Sequence, residues 1–185
     1  MERKYDELVK YSKENNEITK RALKDALIKL LHIHDFDSIS ISKLCDYAGV
    51  SRMSFYRNYS IIYDIFHEFA VELNTEIINN VGSPFRNGTD IHWYEKTFEM
   101  IASKKDDFLL LTQRQFQEEW KRVVNGLAIM TGNYSSEEYY QRLMWCGGFE
   151  NVASIWINNG MKESIEEISL YYIKYLPHLL SKSDK

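Results

Sequence analysis

The sequence predicts an all-α fold of about nine helices. Three observations carry that expectation. Apolar residues recur at helical spacing along most of the chain. Only two prolines and eight glycines interrupt 185 residues. No segment alternates apolar and polar residues on both sides of a tight turn.

The elements follow in order. Residues 1–14 are highly charged with no clear apolar face, and read as an arm or a frayed helix. From about Asn16, the residues Ile18, Ala22, Ala26, Leu27, Leu30 and Leu31 form the stripe of an amphipathic first helix. Lys20, Arg21, Lys24 and Lys29 sit largely off it. Residues 40–59, SISKLCDYAGVSRMSFYRNY, read as two short helices joined by a tight glycine turn. Ile62, Ile65, Phe66, Phe69, Leu73 and Ile77 define a longer fourth helix at about 61–81. Gly82, Pro84 and Gly88 mark the strongest break in the chain, at 82–90. Helical patterns resume at about 91–104, 106–112 and 114–131, and stop at Gly132-Asn133. Ser135 with Glu137 and Glu138 opens the next helix, with acidic groups at the positive end of its dipole. That helix runs to about Asn158, with Gly160 as its stop. A last helix runs from about Lys162 to Tyr175, and Pro177 bends or ends it.

Within 40–59, Leu44, Ala48 and Val50 are spaced to pack one helix on the other. Gly49 stands where the turn needs a backbone free of a Cβ penalty. Ser51 caps the second helix, from Arg52 to about Asn58. Phe55 and Tyr59 face inward, leaving Arg52, Ser54, Tyr56, Arg57 and Asn58 outward. A surface of that kind can touch phosphates and reach base edges.

The charge is uneven. Residues 1–60 hold 11 Lys/Arg against 9 Asp/Glu, while residues 61–185 hold 12 against 18. Only the first part is therefore expected to meet nucleic acid. Two cysteines, Cys45 and Cys146, are too few and too far apart for a disulfide framework or zinc site, and Cys45 reads as a buried free thiol. His32 and His34 lack partners at ligand spacing. The N-terminus has no apolar core of signal-peptide length, and no apolar run approaches the ~20 residues that span a bilayer. The expectation is a cytoplasmic protein with no membrane association and no cofactor.

In order and spacing, about residues 17–70 resemble the DNA-binding domain of the TetR family of transcriptional regulators. The matching elements are the first helix, Asp35-Phe36, the helix opening at Ser40, Ala48-Gly49-Val50-Ser51, and Phe55-Tyr56-Arg57-Asn58-Tyr59. Two positions depart. The family often has Gly where Asp35 stands, and a phosphate-contacting Lys where this chain has Ile62. The resemblance implies a helix-turn-helix DNA-binding domain at 1–60 and a helical effector-binding and dimerisation domain at 61–185. It further implies a homodimer on a palindromic double-stranded operator, read as a repressor. In that reading Ser40, Ser42 and Tyr56 contact phosphates, with Lys43 adding a longer-range contact. Arg52 and Ser54 read bases, and Arg57 and Asn58 contribute at the backbone. Arginine suits bidentate contact with guanine.

All four tryptophans, Trp93, Trp120, Trp145 and Trp156, fall in residues 91–160. Each aromatic taken singly reads as core. Collectively, with the resemblance, Trp93, Phe98, Phe116, Trp120, Met144 and Trp145 are expected to line a pocket for a small apolar or aromatic effector. The helix at 136–158 holds Gly147-Gly148 in its middle, where each glycine costs about 1 kcal/mol against Ala. Its apolar residues, and those of the last helix, cover more than one face. Both helices are therefore expected to meet their symmetry mates, through Gly147, Gly148, Val152, Ile155, Trp156, Ile168 and Tyr172. A helical enzyme is disfavoured, because no nucleophile–base pair, metal cluster or phosphate-cradling loop is legible. The alternative is a co-regulator or activator with the same DNA reader, whose C-terminal domain binds a protein partner instead of an effector.

Overall fold

The computed structural model describes residues 2–87, 89–129 and 134–176, with side chains for all of these except 2–9, 86, 87 and 127–129. The stops expected at Gly132-Asn133 and Pro177, and the glycine at 88, lie outside the described residues. Among those described there is no strand, and the fold is all-α. The described residues hold nine helices of five residues or more and one four-residue helical turn, α5.

The chain divides into two compact units, residues 1–69 and 70–185. The division falls inside helix α4 (Ile62–Val81), so its first two turns pack with the helix-turn-helix.

In the first unit, α1 (Glu2–Leu31) is one continuous helix. Its buried face is Leu23, Ala26, Leu27, Leu30 and Leu31. Ile18, expected in that stripe, is exposed, as are residues 10–18 generally, and Leu23 takes the deepest place instead. α1 packs on both α2 (Ile41–Ala48) and α3 (Arg52–Tyr56). Leu44, Cys45, Phe55, Tyr59, Ile62, Ile65, Phe66 and Phe69 complete the core. Lys20 Nζ donates to both Glu68 carboxylate oxygens at 3.0 and 3.2 Å, and Tyr59 OH donates to Glu68 Oε2 at 2.9 Å. This knot ties the start of α4 to α1 and to the end of the turn motif.

The second unit comprises the rest of α4, α5 (Pro84–Asn87), α6 (Ile91–Ser103), α7 (Lys105–Leu111), α8 (Gln117–Ile129), α9 (Ser136–Asn158) and α10 (Ile165–Tyr175). α9 packs against α7 and α8, and α10 against α6. Three helix starts are fixed by side chains. Asp90 accepts from the Trp93 N–H at 2.7 Å, and Ser135 and Ser164 form reciprocal capping boxes with Glu138 and Glu167. At the core Phe98 meets Phe149, Trp156 and Tyr172 at ring distances of 5.9, 5.2 and 5.1 Å. The Tyr172 hydroxyl donates to the Phe149 carbonyl at 2.7 Å. Such rings contribute beyond the area they bury, by about 0.5–1.5 kcal/mol per pair.

Candidate nucleic-acid interface and effector cavity

The turn motif is assembled by local chemistry. Ser40 Oγ accepts from the Lys43 N–H at 3.2 Å to start α2, and Ser51 Oγ accepts from the Ser54 N–H at 3.0 Å to start α3. Between them Gly49 takes the left-handed conformation, φ 67°. The Val50 N–H closes back on the Cys45 carbonyl at 3.0 Å. Phe55 and Tyr59 are buried, as their spacing requires. Burial also pushes the Cys45 thiol up, with Asp46 adding to the rise and Arg52 opposing it.

The outward residues divide. Ser40, Ser42, Arg52, Tyr56 and Arg57 are exposed, and Lys43 is half-buried. Ser54 is half-buried, with its hydroxyl 2.9 Å from the Ser51 hydroxyl, so it completes the cap while still reaching the rim. The Arg57 guanidinium donates to Met53 Sδ at 3.7 Å, one turn back along α3. Asn58, expected to face outward, turns in. Its amide donates to the Ser54 carbonyl at 2.9 Å and its Oδ1 is buried. The physical reason is that the last carbonyls of α3 need donors, and a short amide at that position supplies one. Met53 was missed. It is 67% exposed, beside Tyr56 at 61%. The signal was present, since Met53 lies three and four residues from Tyr56 and Arg57 and so shares their face.

Ile62 is buried at the start of α4. Ahead of it the Asp64 carboxylate accepts from the backbone N–H groups of Ser60 and Ile61, at 2.7 and 3.0 Å. Two of the backbone donors just ahead of this helix are therefore held by the chain's own carboxylate.

Comparison with protein-family models and with curated proteins finds no match to this chain.

The second unit encloses a cavity of about 40 Å³. Its apolar wall includes Ile77, Phe85, Trp93, Phe108, Trp120, Trp145 and Phe149, and its polar wall Asn74, Thr97 and Glu150. Of the residues expected at a pocket, Trp93, Trp120 and Trp145 line it. Phe98 and Phe116 are fully buried elsewhere in the core, where their rings fill space between helices. Met144 is 61% exposed, because it lies on the face of α9 turned away from Trp145 and Cys146. The polar wall is what sequence reasoning missed. Glu150 is 3% exposed, and Ser154 Oγ donates to its Oε1 at 2.9 Å. Burial pushes the Glu150 carboxyl up. The Ser154 hydrogen bond and the Lys121 charge pull it back, and the Glu118 charge adds to the rise. Asn74 is 6% exposed and its Nδ2 has no hydrogen-bond partner among the described residues.

The residues expected at a dimer contact also divide. Trp156, Ile168 and Tyr172 are buried inside the protomer's own core, because Phe98 and Tyr94 claim that side of both helices. Gly147, Val152 and Ile155 are exposed, alongside Tyr140 and Met144 on α9 and Leu170, Tyr171 and Tyr175 on α10. The two glycines differ. A Cβ on Gly148 would stand 2.8 Å from Leu176 Cδ1, whereas one on Gly147 would meet nothing within 4 Å. Among the described residues no group of His, Cys, Asp or Glu is gathered to hold a metal. No described helix is long and apolar enough to cross a membrane.

Proposed function

We propose that the chain is a ligand-responsive DNA-binding transcriptional regulator of the TetR type, acting as a homodimer on a palindromic operator. One observation carries the reading. A left-handed glycine and two serine caps hold a short helix that buries Phe55 and Tyr59 while presenting Arg52, Met53, Tyr56 and Arg57 to solvent. Arg52 at the first turn is placed for base edges, and Met53 adds an apolar group suited to a thymine methyl. Ser40, Ser42 and Tyr56 supply neutral phosphate contacts. Asp64 at the start of α4 limits anion binding there, so register depends more heavily on α2 and α3.

The exposed apolar stripe on α9 and α10 supports pairing with a second copy, which would set two α3 helices about one DNA turn, 34–36 Å, apart. The cavity supports effector binding, with Asn74 and Ile77 of α4 in its wall. A ligand that prefers one arrangement of α4 shifts the population competent for DNA. The test is selection of bound duplexes from a random-sequence pool, followed by titration. Recovery of a two-fold symmetric site that binds wild type far better than scrambled DNA is expected. Enrichment of no sequence would reject the reading.

A further inference from the structure

The polar wall of the cavity narrows the class of effector, an inference that rests on reading the second unit as effector-binding. Glu150 is buried on α9 with one described side-chain partner, the Ser154 hydroxyl. The cation nearest in effect, Lys121, is held by Glu118 at 3.3 Å. With no cation in contact among the described residues, a buried carboxyl is held toward its neutral form, and an entering positive charge would stabilise the ionised one. Rings of Trp93, Phe108 and Trp120 line the same space, beside a stacked Trp145–Phe149 pair and a Phe85 ring that already carries the Arg142 guanidinium at 4.8 Å, and aromatic rings attract cations. Asn74 Nδ2 is a buried donor with no acceptor among the described residues, in the same wall. The wall thus offers a buried carboxyl and, among the described residues, a donor without an acceptor, beside aromatic rings.

We infer that the cavity binds a small protonated amine that also carries an oxygen acceptor, with Glu150 as counter-ion and Asn74 as donor to the oxygen. The volume sets its size. On this measure one water takes about 10–15 Å³, so about 40 Å³ holds three or four heavy atoms. A two-carbon amino alcohol has that size and both groups.

The test uses the full chain without DNA, at neutral pH and constant ionic strength, with ethanolamine, propylamine and 1-propanol as probes. Tryptophan emission and calorimetry report binding. Ethanolamine is expected to bind at least tenfold more tightly than either other probe. Glu150→Gln, which keeps shape and removes charge, should weaken ethanolamine and propylamine at least tenfold and leave 1-propanol unchanged. Asn74→Leu should weaken ethanolamine alone. No response to ethanolamine at tens of millimolar would overturn the inference, as would a response that Glu150→Gln leaves intact. Since no DNA is present, either failure leaves the DNA-reading proposal to stand or fall on its own titration.

Discussion

Replacing Arg52 by Ala together with Tyr56 by Phe should remove the cation proposed to read a base and the hydroxyl proposed to bind a phosphate without touching the core, since both side chains are exposed. A good bidentate base contact is worth about 1–3 kcal/mol. Specific binding should therefore fall by one to two orders of magnitude in a fluorescence titration at moderate salt, with helicity unchanged. Wild-type affinity in the double variant would show that α3 does not read the bases. Glu150 gives the opposite kind of test. Its carboxyl titrates higher in the fold than unfolded, chiefly through burial, with Lys121 of α8 opposing and Glu118 of α8 assisting. Its charge in turn helps raise Tyr172 of α10. A carboxyl raised in the fold favours folding most below its unfolded pKa, and that advantage is lost as pH rises through the folded value. Glu150→Gln should accordingly raise Tm at pH 7–8, by about 2–4 °C for each kcal/mol gained, and leave it unchanged near pH 3. Equal shifts at both pH values would mean that charge is not the cause. The turn motif was legible because each residue in it answers a local demand: a left-handed backbone at Gly49, a free N–H at Ser51. Glu150 and Asn74 were not, because polarity in a helix sequence says solvent until tertiary packing says otherwise.

At the scale of elements, the paired glycines of α9 make a matched experiment. Gly147→Ala adds a Cβ to open space and removes backbone freedom from the unfolded chain, so the protomer should gain about 0.5–1 kcal/mol. Gly148→Ala places its Cβ 2.8 Å from Leu176 Cδ1, so part or all of that gain is lost in moving the leucine. Denaturant midpoints measured on both variants decide it, and equal stabilisation would mean that Leu176 does not crowd Gly148. Gly49→Ala should cost about 1–2 kcal/mol for its left-handed φ. The existence of α9 was legible from spacing and from its serine start, and that of α10 from spacing alone; both begin in capping boxes, the second at Ser164. Which face each buries was not. Apolar residues ring both helices, and it is tertiary contact, the rings of Phe98 and Tyr94 with Phe149 beside them, that holds Trp156 and Tyr172 inward while Val152, Ile155 and Tyr171 stay outside.

For the whole molecule the central expectation is a dimer. Tyr140, Met144, Val152 and Ile155 of α9 and Leu170, Tyr171 and Tyr175 of α10 are large apolar side chains left exposed, and Val152, Tyr171 and Tyr175 border one surface depression with Gly148 and Leu176. Sedimentation at micromolar concentration should give twice the 22.0 kDa chain mass. Val152→Glu with Ile155→Glu should give a folded monomer with unchanged circular dichroism. A wild-type monomer would reject the interface, and a dimeric double variant would move it elsewhere.

The link between α9 and α10 bears on how fast such a dimer forms. Gly160 and Met161 both take positive φ, the Met161 N–H bonds the Trp156 carbonyl at 2.9 Å, and the Trp156 indole donates to the Glu163 carbonyl at 3.0 Å. The bend is thereby fixed within one chain, and the two helices offer their stripe as a finished surface. Association in the proposed dimer should then need no ordering step and show no slow unimolecular phase. Mixing protomers should give a single second-order process of ordinary protein–protein rate, about 10⁵–10⁷ M⁻¹s⁻¹. Removing the indole hydrogen bond, as in Trp156→Phe, should slow that process before it weakens the equilibrium dimer.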